Sequence, residues 1–124
     1  MEGYEVKIRK ISKEISPKER IKIKDFSNAN SIDELTQEEP IVLTPDYYAV
    51  IDVHNEKSDN KDYVKTVVVD KSGNKFITGS VSFLETLESI MDEMKDVDEE
   101  FQIEIYRKDS KNYKGKQFIT CSVV

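Results

Sequence analysis

"YVKTVVVDKSGNKFITGSVSFLETLESIMDEM", Tyr63 to Met94, decides how this chain folds. Tyr63 to Val69 is rich in β-branched and aromatic residues, the composition of a strand. "KSGN", residues 71–74, reads as a tight turn into a second strand, "KFITG". Beyond Gly79 the apolar period changes. Phe83, Leu84, Leu87, Ile90, Met91 and Met94 recur at three- and four-residue spacing, the stripe of an amphipathic helix. Ser82 with Glu85 forms a capping box at its start. Glu85, Glu88, Asp92 and Glu93 supply its solvated face.

Reading outward, "YYAVIDVHNE" (47–56) is a further strand, joined to Tyr63 by the hairpin loop "KSDNK". These three strands form an antiparallel meander. After the helix, "EFQIEIYR" and "KQFITCSVV" are two strands joined by a basic loop. Near the start, "YEVKIRKI" alternates Tyr4, Val6 and Ile8 with charged neighbours, the two-residue period of a half-buried strand. Ser16-Pro17 marks a break. "ERIKIKDF" (19–26) alternates again through Ile21 and Ile23 and reads as a second strand or a continuation of the first. Residues 27–46 read as a long connecting loop. Ser31 and Glu34 form a capping box there, enough for one or two helical turns before Pro40 and Pro45.

A helix between the third and fourth strands of a five-stranded antiparallel set is the order of an oligonucleotide-binding (OB) barrel. The expectation is therefore a mainly β chain, with residues 1–124 forming one OB-like domain. The alternative is an open α+β sheet with the helix on one face. A length of 124 residues suits one domain, and 37% apolar with 35% charged residues suits a real core under a heavily charged surface. No apolar run approaches the ~20 residues of a spanning helix, and no secretory segment opens the chain. The single cysteine, Cys121, forms no internal disulfide. These features lead us to expect a cytoplasmic protein with no membrane partner.

Charge is unevenly spread over a chain of net charge −6. Residues 1–24 carry eight cations against four acids, and residues 105–124 five against one. Residues 25–46 carry six acids and no cation, and residues 84–104 nine acids and one cation. A basic stripe is thus available on an acidic protein if the fold joins its ends.

Catalysis finds little support. His54 is the only histidine, and a nucleophile needs a base within hydrogen-bond reach. Cys121 alternates in register with Ile119 and Val123 and reads as a core residue. One His and one Cys do not make a metal site. "DEMKDVDEE" lacks the glycine and spacing of a calcium loop, and "DKSGNK" is no phosphate loop. No catalytic residue, metal or cofactor is expected.

"RKDSKNYKGKQFITC", Arg107 to Cys121, carries the functional signal: five cations, one acid and a tyrosine between two strands. Single-stranded nucleic acid is held by cations along the phosphates and by aromatic faces on the bases. Lys108, Lys111, Lys114 and Lys116 supply the first, and Tyr113 the second. Alternation adds Tyr106 and Phe118 as outward residues of the last two strands, with Thr120 beside them. If Ala49, Ile51 and Val53 face inward, Tyr48 faces outward. Lys22, Lys24 and Lys65 are candidates for the same side.

Residues 63–94 together with "FQIEIYRKDSKNYKGKQFITCSVV" resemble the C-terminal two-thirds of small bacteriophage single-stranded DNA-binding proteins with an OB fold. The run from Gly73 through Phe76 to Thr78-Gly79-Ser80, the "SF" helix that follows, and "SKNYKGKQFITC" carry the resemblance. It implies non-catalytic binding of single-stranded DNA in phage replication or recombination, inside the bacterial host cell. It bears on Tyr106, Lys111, Tyr113, Lys114, Lys116 and Phe118 as groove residues. A homodimer and replication proteins are the further partners considered. The competing expectation is a protein-interaction module whose acidic segments bind or inhibit a host nucleic-acid enzyme.

Overall fold

A computed structural model describes residues 3–111 and 114–124. In chain order the elements are β1 (Tyr4–Ile11), α1 (Pro17–Ile23), β2 (Asn30–Ser31), α2 (Ile32–Leu35), β3 (Ile41–Leu43) and β4 (Pro45–Asn55). They continue with β5 (Asp62–Asp70), β6 (Lys75–Thr78), α3 (Val81–Met94), β7 (Ile103–Asp109) and β8 (Gln117–Val123). The strands form a five-stranded sheet, β1-β4-β5-β6-β2, and a three-stranded sheet, β3-β7-β8. All pairings are antiparallel except the short β2–β6 pair. Only Thr44 separates β3 from β4, so residues 41–55 pass from the small sheet into the large one.

The chain is thus mainly β, as expected, but its strands do not close into one ring. β6 meets β2, and β8 meets α3 instead of β6. The helix occupies that gap. Its Phe83 and Leu87 are fully buried, and the Ser82 hydroxyl donates to the Ile119 carbonyl of β8 at 2.9 Å. A carbonyl that a neighbouring strand could have used is satisfied by a helix side chain.

Two cores flank the large sheet. On one face Tyr48, Val50 and Val68 pack against Ile103, Ile105, Ile119 and Cys121 of the small sheet and against α3. On the other, Tyr47, Ala49, Ile51, Val53, Val67 and Val69 are covered by Ile23 of α1, with Ile15 and Phe26 beside it. β4 is therefore buried on both faces, which explains its near-continuous apolar run.

Several sequence expectations are corrected. Residues 19–26 do not form a strand. Ser16 caps a helix, its Oγ accepting from the Glu19 N–H at 3.2 Å, with Pro17 at the first turn. A strand would send Ile21 and Ile23 to one side. In the helix Ile23 is 1% exposed and Ile21 68% exposed. Tyr48 does not face outward; it is 1% exposed, because the small sheet covers the face opposite Ala49. Thr120 is buried as well, with its hydroxyl 3.4 Å from that of Thr86 on α3. The α3 cap is Ser80, whose Oγ accepts from the Phe83 N–H at 3.2 Å, two residues earlier than the Ser82 box implied. The Ser31 box forms as read, its Oγ accepting from the Glu34 N–H at 3.3 Å. The stretch 27–46 is not simply a loop: it holds β2, α2 and β3.

Candidate nucleic-acid interface

The terminal hairpin gathers six of the proposed residues. Ile103 and Ile105 face the core, so Glu104, Tyr106 and Lys108 face away from it. On β8, Ile119 and Cys121 face the core, which turns Phe118 and Ser122 outward. Lys108 lies directly across from Phe118, and Tyr106 across from Thr120. Tyr106 and Phe118 therefore occupy diagonal positions on one face. The Tyr106 hydroxyl lies 2.9 Å from Ser122 Oγ, which directs the ring along β8 to the side away from Phe118.

Past these rings the chain turns through the basic loop. The Ser110 N–H donates to the Lys116 carbonyl at 2.9 Å and closes it. Gly115, at φ +79°, adopts the left-handed backbone that side chains resist. Lys111, Lys114 and Lys116 are exposed in this loop, and Lys108 is exposed at its root. Tyr113 lies outside the described residues. Arg107, the remaining cation of the stretch, points the other way. Its guanidinium donates to the Asp33 carbonyl at 2.7 Å and to Thr36 Oγ1 at 3.3 Å, anchoring α2.

The other candidates do not join this face. Lys22 and Lys24 belong to α1 and its C-cap, on the far side of the large sheet. Lys65 sits opposite Ile51 on that same far face, with its ammonium 5.8 Å from the Tyr63 ring centre. Tyr48 is core, and its ring faces the Lys10 ammonium at 5.7 Å. One residue that the sequence reading missed joins the hairpin face. Val42 of β3 pairs with Glu104 and is 51% exposed. Its signal was the β-branched "IVL" run after Pro40.

The opposite pole is acidic. Helix α3 runs beside β8, with Ser82 near Ile119 and Met94 grouped with Val123 and Val124. Its C-terminal end thus lies about 23 Å from the basic loop, the length of a seven-residue strand. Asp92, Glu93, Asp96, Asp98, Glu99 and Glu100 are exposed there. Asp92, Asp98, Glu99 and Glu100 rim a cleft of about 510 Å³ floored by Tyr48, Met91, Met94, Val97 and Phe101. Lys13 and Lys71 enter this cleft but both meet Asp46, at 2.9 and 3.4 Å.

The groups that could do chemistry are otherwise engaged. Cys121 is buried, and burial pushes its thiol up to about 11, away from the reactive thiolate. His54 is held between two carboxylates, with Nδ1 at 2.7 Å from Asp62 and Nε2 at 2.7 Å from Glu56. Asp62 first, then Glu56, raises its pKa above the ordinary value. This surface triad favours the charged ring. Its contribution to folding is complete below about pH 6.5 and is lost as pH rises through the raised value. Among the described residues, no group of three His, Cys, Asp or Glu is placed to hold a metal ion. No described helix is long and apolar enough to cross a membrane.

No protein-family model, curated protein or solved structure matches the chain.

Proposed function

We propose that this protein is a non-catalytic single-stranded DNA-binding protein that uses the outer face and loop of the β7–β8 hairpin. One observation carries the reading: Tyr106 and Phe118 share that face, with Lys108 directly across from Phe118 and Lys111, Lys114 and Lys116 beyond. Rings for bases beside ammonium groups for phosphates is the arrangement that sequence-tolerant single-strand binding requires. The connectivity supports an OB-like reading of the fold. The segment 41–55 pairs with β7 through its first part and with β5 through its second, and α3 fills the opening between β6 and β8. A five-stranded barrel left partly open is within the range of that architecture. The resemblance of residues 63–94 and 101–124 to phage single-strand binders points to phage DNA replication or recombination as the setting.

Fluorescence anisotropy with labelled oligo-dT tests this. Four lysine–phosphate contacts give a slope of about −3 in log affinity against log salt, at roughly −0.7 per contact. Absence of binding even at low salt ends the proposal.

A second reading has its own observation. The last turn of α3 holds Asp92 and Glu93 and no cation, and its first turn holds no acid. Acids at a helix C-terminus oppose the helix dipole, at about 0.3–1 kcal/mol each. An arrangement that costs stability suits a surface that binds a basic partner. In this reading, the acidic segment docks on a host nucleic-acid enzyme. Reversing Asp92, Glu93, Asp96 and Asp98 to lysine is then expected to abolish capture of that enzyme from bacterial lysate. An unchanged capture profile removes the idea.

A further inference from the structure

We infer that the protein forms a two-fold dimer by pairing β1 with β1 of a second copy, in one register centred on Val6. β1 ends the five-stranded sheet, and among the described residues no strand pairs with its outer edge. The opposite edge is the two-residue β2, while in the small sheet β3 has three residues and α3 covers β8. β1, with eight residues, is the long open edge. Such an edge is a template for another chain.

Backbone alternation says which groups face out. The Glu56 N–H donates to the Gly3 carbonyl at 2.7 Å, so Gly3 and Glu56 are a bonded pair. With Tyr4 opposite Asn55, the next bonded pairs are Glu5 with His54 and Lys7 with Asp52. Tyr4, Val6 and Ile8 therefore direct their N–H and C=O groups away from β4. The register shift between Ile8 and Lys10 ends this regular run. The pairable edge is Tyr4 to Ile8, and Val6 is its middle.

Side chains then choose the register. A two-fold axis at Val6 sets Val6 on Val6, Tyr4 on Ile8, and Glu5 on Lys7 of the second copy. Tyr4, Val6 and Ile8 meet as bonded pairs, which their outward amides demand. Glu5 and Lys7 now bridge each other within one chain at 3.3 Å, both well exposed, and in the dimer they exchange partners. Moving the axis to Glu5 opposes two carboxylates, and moving it to Lys7 opposes two ammonium groups, both unfavourable. An axis between residues opposes an outward amide to an inward one. Only the Val6 register satisfies backbone, charge and apolar face together. Tyr4, 40% exposed, gains cover from Ile8 of the second copy. Directly opposed residues share a face, so both small sheets come to lie on one side of the joined sheet.

Sedimentation velocity over a range of concentrations tests the proposal. The wild type is expected to reach twice its 14.4 kDa mass. Lys7→Glu should weaken the dimer about tenfold or more, since it opposes Glu5 to a new carboxylate at two places. Glu5→Lys combined with Lys7→Glu restores the complementary pairs and should restore the dimer. Val6→Pro removes the central outward N–H, at an edge position where proline is tolerated, and should leave a folded monomer. A wild type that stays monomeric up to its solubility limit overturns the inference. So does a dimer indifferent to Lys7→Glu and Val6→Pro, or a double variant that fails to recover.

Discussion

Replacing Lys108, Lys111, Lys114 and Lys116 together by alanine should leave oligo-dT binding nearly independent of salt. Counterion release sets this salt dependence. Each lysine that neutralises a phosphate contributes about −0.7 to the slope of log affinity against log salt. Removing four contacts changes the slope by about 3. Raising salt from about 50 to about 200 mM should weaken the wild type by roughly 50-fold and the variant very little. The substitutions are local. Lys108, Lys111, Lys114 and Lys116 are all exposed, and the loop is closed through a backbone bond, so the thermal midpoint should hold. Loss of affinity together with loss of fold would make the result uninformative about contact, and circular dichroism on the same sample distinguishes the two. A variant that binds as tightly as the wild type at both salt concentrations would move the interface off the hairpin. Tyr106 and Phe118 stay in place in this variant, so any residual salt-independent binding reports their stacking.

The sequence made the meander, the long helix and the terminal hairpin legible because each has a clear period and clear turn residues. Tyr63 to Met94 switches from the two-residue pattern to the helical one at a single glycine, and the structure follows it. The hairpin face was legible for the same reason: Ile103, Ile105, Ile119 and Cys121 alternate cleanly. The misreadings have physical causes. Ile21 and Ile23 gave a two-residue alternation, but two apolar residues are too few to outweigh a capped, proline-led helix start. The Ser16-Pro17-Lys18-Glu19 pattern carried that information. Lys22 and Lys24 left the candidate face along with the strand they were assigned to. Barrel closure was not legible at all, because it depends on how β6 and β8 lie relative to α3, which no local period encodes. Tyr48 failed for a related reason. Alternation assigns one inner face, and β4 has two.

Tyr48→Ala is expected to destabilise the protein by about 3–5 kcal/mol, a large share of the 5–15 kcal/mol that holds a typical domain. Removing this ring leaves a cavity between the sheets, among Val50, Val68, Leu43 and the α3 side chains. For a chain of this size the thermal midpoint should fall by roughly 10–20 °C. Tyr48→Phe keeps the ring and the Lys10 ammonium over it, loses only the hydroxyl, and leaves Lys10 paired with Glu88 at 2.6 Å. Its cost should be about 1 kcal/mol. Tyr106→Ala makes the opposite pattern. Its ring is on the outer face, and its loss should weaken DNA binding by about 1–3 kcal/mol while costing far less stability. The three variants, read by thermal melts and by anisotropy, separate a core tyrosine from a contact tyrosine that the sequence alone placed together. If Tyr48→Ala melted like the wild type and lost DNA affinity, the packing of the small sheet on β4 would be wrong. The outer face of the hairpin would then no longer follow from the fold.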